Sequence, residues 1–188
     1  MPLKIYLDQG HNPDNPNAGA EGNGFREQDL VYAIGQRTAA MLRGYGFDVK
    51  LSRPTPGTQL GTSVATSLAA RVNEANDWDA DYFISLHCNA SDVTAASGSE
   101  AFVFRRDSEA EWLAWRLLEG VTDATGLENR GIFARPSLYV LWKTRMPAVL
   151  MELGFITNPG DAALLAYSPN LFAEGLTNGV LAYLGRQE

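Results

Sequence analysis

The 188-residue sequence predicts an α/β layer fold, with helices on both faces of a mostly parallel sheet. Short apolar runs of strand length alternate with longer segments whose apolar residues recur every three or four positions. Gly, Asn and Pro punctuate the breaks between them. No linker, internal repeat or low-complexity stretch interrupts the alternation. Residues 1–188 are therefore read as one domain, long enough to bury a substantial core.

The elements follow in order. Leu3 to Asp8 is a short apolar run, and Gln9 to Gly24 is a Gly/Asn/Pro-rich loop longer than a plain connection needs. Helical periodicity then covers Arg26 to Tyr45. Val31, Ile34, Thr38, Met41 and Tyr45 form its inward stripe, and Gly46 ends it. Phe47 to Ser52 reads as a strand, Arg53 to Ser63 as a polar loop, and Leu68 to Ala75 as helical. Asp81 to Cys88 and Glu100 to Arg105 are strands separated by the small-residue loop Ser91 to Ser99. Ser108 and Glu111 hold capping-box positions for a helix carrying Leu113, Leu117 and Val121 inward and stopping at Gly126. Leu138 to Leu141 is read as a short strand and Pro147 to Leu153 as the last one. Asn158-Pro159 and Ser168-Pro169 both match an N-cap followed by proline at the first helical position. The final helix turns Phe172, Leu176, Val180 and Tyr183 inward and ends at Gly185.

Composition excludes several function classes. The formal charge is −7 and the pI about 4.8, with Lys and Arg scattered, which argues against a nucleic-acid partner. No run of eighteen apolar residues occurs, so no membrane span is expected. The opening MPLKIYLDQGHNP turns polar too soon for a signal peptide. The single cysteine, Cys88, rules out an internal disulfide. There is no G-x-S-x-G elbow of a serine hydrolase, and GAEGNG does not match the dinucleotide glycine pattern.

The chemistry concentrates at predicted strand ends, where sites gather in open α/β sheets. His11 follows the first strand, His87 ends the third in SLHCNA, and Glu152 interrupts the apolar run PAVLMELGFITNP near its end. Extending the stripe from Val31 back by four residues lands on Glu27, an inward acid in the first turn of its helix. Two imidazoles and one carboxylate make a three-ligand zinc set with a fourth position open to water. Glu152 then has a role, taking a proton from that water and passing it to a leaving nitrogen. Asp8 is placed to orient an imidazole, and strand alternation turns Cys88 away from His87 into the core. Other readings exist for each residue taken alone. Either histidine suits a polar strand end satisfied by backbone, Glu27 suits a surface acid at a helix start, and Glu152 suits an ion pair with Arg53, Arg71 or Arg145.

The segments LDQGHNP, FREQDL, YFISLHCNA and PAVLMELGFITNP, in that order, resemble the zinc-dependent N-acetylmuramoyl-L-alanine amidases of type 3, and the resemblance spans nearly the whole chain. It implies a three-layer α/β/α fold on a six-stranded, mostly parallel sheet. It implies Zn2+ as cofactor, with His11, Glu27 and His87 as metal ligands and Glu152 as the catalytic glutamate. The implied reaction cuts the amide between the lactyl group of N-acetylmuramic acid and the L-alanine of the stem peptide. The expected partner is thus peptidoglycan or a muropeptide, and the expected place of action is the bacterial cell wall. Asn89 is a candidate for holding the tetrahedral oxyanion. Where many members carry G-H-G-G, this chain has Gly10-His11-Asn12-Pro13, so the loop after the first histidine is expected to differ. The loops Gln9 to Gly24, Arg53 to Ser63 and Ser91 to Ser99 are candidate walls of a substrate groove. Trp112, Trp115 and Trp142 are candidates for stacking on sugar, with helix packing the alternative for Trp112 and Trp115. A zinc peptidase cutting within the stem peptide, and a non-catalytic wall-binding or activating domain, remain the competing functions.

Overall fold

The computed structural model describes residues 1–185. Strand β1 (Lys4–Gln9) is followed by a two-residue ribbon, β2 (Glu21–Gly22) and β3 (Phe25–Arg26), and then by helix α1 (Glu27–Gly44). Next come β4 (Asp48–Leu51), α2 (Val64–Asp77), β5 (Tyr82–Asn89), β6 (Ser99–Val103) and α3 (Glu109–Thr125). The chain continues through β7 (Asn129–Ala134), α4 (Tyr139–Lys143), β8 (Ala148–Phe155), α5 (Pro159–Tyr167) and α6 (Pro169–Tyr183).

The main sheet has six strands in the order β4-β1-β5-β8-β6-β7. β4, β1, β5 and β8 pair in parallel, whereas β6 runs antiparallel to β8 and carries β7 parallel to itself. The expected mostly parallel, six-stranded α/β/α arrangement is therefore present, with one correction to its parts. Leu138 to Leu141 is not a strand: Tyr139–Lys143 forms a short helix, and the sixth strand is Asn129–Ala134. The segment NRGIFA carries no apolar alternation because it lies at the sheet edge and is mostly exposed, so no buried face imposes the period of two.

Alternation along the inner strands builds the layers. Ile5, Leu7, Ile84, Leu86, Val149 and Met151 face α1, α3 and α6, where Val31, Ile34, Leu113, Leu117, Phe172 and Leu176 complete one core. Tyr6, Phe83, Ala148 and Leu150 face the opposite way, against Val72 and Ala75 of α2 and Val140 and Leu141 of α4. Each such Val, Leu, Ile, Met or Phe side chain, fully buried, contributes roughly 1.5–3 kcal/mol. Both faces being covered explains why β5 and β8 read as continuous apolar runs.

Caps end the elements largely where the residue types suggest. Asn158 Oδ1 accepts from the backbone of Gly160 and Asp161, and Gly126 closes α3 in the left-handed conformation, φ 73°. The capping box of α3 is half made. Ser108 Oγ accepts from Glu111 N, but the Glu111 carboxylate turns to Asp107 N and Arg106 instead of Ser108 N. Ser168 makes no side-chain cap at all. The inward stripe of α1 also ends one turn early. Leu42 is buried, while Tyr45 lies past the helix and is exposed.

Candidate metal centre and active site

Three parallel strands, β1, β5 and β8, end side by side, and the polar residues at their ends come together on the α2/α4 face of the sheet. His11 stands two residues past β1 in a left-handed backbone conformation, φ 65°. For a non-glycine residue that conformation costs about 1–3 kcal/mol unless its surroundings enforce it. Here they do. Arg71, fully buried on α2, donates to the backbone oxygens of Gln9 and His11 while its Nη1 pairs with Asp8 Oδ1 at 2.5 Å. Asp8 Oδ2 accepts from Ser85 Oγ at 2.7 Å. Asp8 thus reaches no imidazole, contrary to its expected role, and acts on His11 through Arg71 and the main chain. Burial opposes ionisation of Asp8, but the Arg71 guanidinium and the Ser85 hydroxyl outweigh it and hold the carboxyl below its usual range.

Asn12 is fully buried and stitches this loop to the next. Its Nδ2 donates to the oxygens of Pro16 and Leu60, and its Oδ1 accepts from Leu60 N. The side chain supplies hydrogen bonds that a glycine at this position cannot make.

Glu27 opens α1 and turns inward, 3% exposed. Its Oε2 accepts from Ala20 N at 2.9 Å and its Oε1 from Cys88 N at 2.9 Å. That Oε1 also lies 3.1 Å from His11 Nε2 and 3.0 Å from His87 Nδ1. The two rings meet edge to face, with centroids 4.8 Å apart. Burial pushes the Glu27 carboxyl up, yet hydrogen bonds from both imidazoles outweigh it and leave the pKa far below the ordinary value. Close packing of main chain around this cluster requires two glycines. A methyl group on Gly10 would come within 2.6 Å of His87 Cε1 and of Leu86 O, and one on Gly19 within 2.8 Å of Glu27 Oε2.

The donors of His11, Glu27 and His87 all lie within 4.8 Å of one another. Two imidazole nitrogens and a carboxylate oxygen aimed at one point are the donor set of zinc, which takes such ligands at about 2.0–2.2 Å. The residues fit the group. Cys88 is buried beneath the cluster, its thiol pushed well above the ordinary pKa by burial and by the Glu27 and Glu152 charges, as a small core residue.

Glu152 sits on β8 directly opposite His87 on one side and Glu100 of β6 on the other. Its Oε2 is sealed from solvent and has no hydrogen-bond partner. Burial, then the charges of Glu27 and Glu100, push its pKa up to about 8. None of the arginines considered as partners takes it. Arg71 is committed to Asp8, and Arg53 donates to the backbone oxygens of Gly10 and Gln28; among the described residues no ion pair to Glu152 is present. Asn89 turns its amide to Glu100 Oε1 at 2.7 Å, and Glu100 Oε2 in turn receives Arg130. One Asn89 N–H is therefore engaged away from any oxyanion.

A cavity of about 120 Å³ opens on His11 and His87. Of the three candidate wall loops only the first reaches it, through His11 and Asn17. The remaining wall is Leu68 and Arg71 of α2 and the segment Leu138, Tyr139 and Val140. The loop Arg53 to Ser63 instead supports the first loop from behind, and Ser91 to Ser99 is tied to the start of α5 through Thr157, Asn158 and Asp161. Tyr139 was missed from sequence, and Arg71 was considered only as a partner of Glu152, not as the support of the His11 loop. An arginine falling on the inward face of a helix, in phase with Leu68 and Val72, was the available signal for that support.

The family model described as N-acetylmuramoyl-L-alanine amidase matches residues 5–182. LytC, an N-acetylmuramoyl-L-alanine amidase of Bacillus subtilis, is 31% identical over 95% of this chain, which spans only 35% of LytC. The sporulation-specific N-acetylmuramoyl-L-alanine amidase of the same organism is 33% identical over 95% of this chain and 67% of its own length. Among solved structures, the catalytic domain of CwlV, an amidase from Bacillus (Paenibacillus) polymyxa var. colistinus, superposes with a TM-score of 0.85 at 29% identity, covering 98% of this chain and 99% of that one. With its six-stranded layered fold and its convergent His-Glu-His cluster, the chain belongs to the N-acetylmuramoyl-L-alanine amidase family.

Proposed function

We propose that this chain is a zinc-dependent N-acetylmuramoyl-L-alanine amidase, acting on peptidoglycan at the bacterial cell wall. In this reading it hydrolyses the amide between the lactyl group of N-acetylmuramic acid and the L-alanine of the stem peptide. One observation carries it: Glu152, half-buried with its Oε2 sealed and without a hydrogen-bond partner, lies in register beside His87, a member of a cluster able to hold a metal. His11, Glu27 and His87 would hold the zinc, with Arg71 and Asn12 fixing the loop that presents His11. When bound, zinc polarises the scissile carbonyl and lowers the pKa of a coordinated water to about 7.

Glu152 does the proton work. A carboxylate whose pKa is raised in the apo site takes up a proton readily, and an adjacent cation draws it back toward neutrality. It accepts the proton of the attacking water as the C–O bond forms. It then delivers that proton to the departing L-alanine nitrogen as the C–N bond breaks. Leu138 and Tyr139 line the cavity from the α4 side.

The test combines metal analysis with mass spectrometry of digested muropeptides. About one zinc per chain, a released peptide with a free L-alanine amine, and loss of release in chelator are expected. A cut between two amino acids of the stem would replace this reading with a peptidase, and wall binding without release would replace it with a non-catalytic domain.

A further inference from the structure

A second cavity, larger than the one at the metal cluster, lies on another part of the molecule. It holds about 600 Å³ between α3 and the edge strand β7, and no residue lining it also lines the cavity at His11 and His87. That volume falls within the roughly 300–1,000 Å³ of small-ligand sites. Two tryptophans three residues apart on α3 form one wall, Trp112 68% exposed and Trp115 45% exposed. Leu118 and Ile132 also line it, and Gly131, without a side chain, stands on the β7 side.

The polar groups of this groove are held in place before any ligand arrives. Glu111 pairs with Arg106 and accepts from Asp107 N at 2.6 Å, Arg106 Nη1 donates to Ile132 O at 2.6 Å, and Asn129 Oδ1 accepts from Gly131 N at 3.0 Å. Exposed indole faces beside fixed carboxylate, guanidinium and amide groups suit a ring with one C–H face and a hydroxyl-bearing edge. Asp107 and Glu111 repel a polyanion, as does the chain's charge of −7, so neither nucleic acid nor an anionic lipid surface fits. A purely apolar segment would leave the ionic rim unanswered.

We propose that the α3/β7 groove binds N-acetylated hexosamine rings of a glycan strand, as a subsite separate from the metal cluster. The C–H faces of the sugar stack on Trp112 and Trp115, and its hydroxyl and acetamido groups meet Arg106, Asp107, Glu111 and Asn129. The proposal shares with the amidase reading only the identity of the polymer. Binding here requires neither metal nor hydrolysis, so it can fail while the amidase reading stands, and the reverse.

The test is a titration of the full chain with an N-acetylglucosamine tetramer, followed through the indole N–H resonances of its four tryptophans, with and without chelator. Saturable shifts of the Trp112 and Trp115 signals, unaffected by chelator, are expected. Trp112→Ala and Trp115→Ala should each raise Kd by about tenfold or more. Trp142→Ala, whose ring lies elsewhere under Lys143 Nζ at 3.5 Å, should leave Kd unchanged. Thermal melting of both groove variants reports whether the fold survives, and Glu111→Gln gives a second route to the same loss. Absence of a saturable response overturns the proposal, as does an unchanged Kd in both tryptophan variants. A response of the same signals to stem peptide and not to sugar overturns it too, and assigns the groove to peptide.

Discussion

The two flanks of the sheet solve opposite problems. At the ends of β1, β5 and β8, charged and polar groups are buried and each is held by several partners: Arg71 by Asp8, Gln9, His11 and Asn12, Glu27 by two backbone amides and two imidazoles. Between α3 and β7 large apolar rings stand in solvent beside an exposed edge strand. Buried polar groups left unsatisfied are expensive, so the first region tolerates almost no change. The second carries little of the folding energy and is free to vary. Glu152 Oε2 breaks that rule, as do His11 Nδ1 and Arg71 Nε; of the three only Glu152 belongs to a side chain that makes no hydrogen bond or ion pair at all among the described residues, and that singles it out.

Four perturbations sharpen that contrast, in falling order of effect. Glu152→Gln keeps the shape and removes the proposed base. Its kcat on muropeptides should fall by about 10²–10⁴ with little change in KM, and wild-type turnover in steady-state assays would remove Glu152 from the chemistry. Arg71→Met leaves Asp8 buried without its cation and should cost roughly 3–5 kcal/mol in urea unfolding. In the same variant metal affinity should drop about 10–100-fold, because the His11 carbonyl is released; an unchanged affinity would show that Arg71 serves the fold alone.

A pH dependence follows from Glu152. Its carboxyl has an ordinary pKa of 4.5 and is pushed up to about 8 in the metal-free fold, mainly by burial. Below 4.5 it is protonated in both folded and unfolded chains, so its contribution to stability is complete there. As pH rises the unfolded chain ionises first, and the stability is lost progressively until the folded group ionises near 8. In chelator, wild type should lose stability across this window relative to Glu152→Gln by a difference of order 2–4 kcal/mol. Parallel pH profiles of the two proteins in urea titrations would contradict the sealed, partnerless state of Glu152 Oε2. The smallest effect belongs to the other flank. Trp112→Ala, at a residue 68% exposed, should shift stability by no more than about 0.5 kcal/mol in the same titration.

Most of the fold was legible wherever burial imposes a period. β1, β5, β8 and the helices α1, α3 and α6 all carry a face packed in a core, and their apolar residues repeat accordingly. β7 lacks such a face and left no trace, while Leu138 to Leu141, apolar but only four residues long, has no period to distinguish strand from helix. Candidate site residues were visible because they are misfits: scarce histidines at strand ends and an acid inside an apolar run. Asp8 was noticed but given the wrong partner, since a carboxylate at a strand end does not reveal which cation an approaching helix brings.

By itself the sequence determined the order of the strands and helices that carry a buried face, though not β7 or α4, and singled out His11, Glu27, His87 and Glu152, because local periodicity and a breach of it are properties of neighbouring residues. Only the tertiary structure decided that Glu27 Oε1 lies between two imidazoles, that Arg71 carries Asp8 to the His11 carbonyl, and that β6 reverses to set Glu100 opposite Glu152. Those contacts join residues far apart along the chain, and their geometry follows from which strands pair and in which direction. Side-chain identity alone does not encode that pairing.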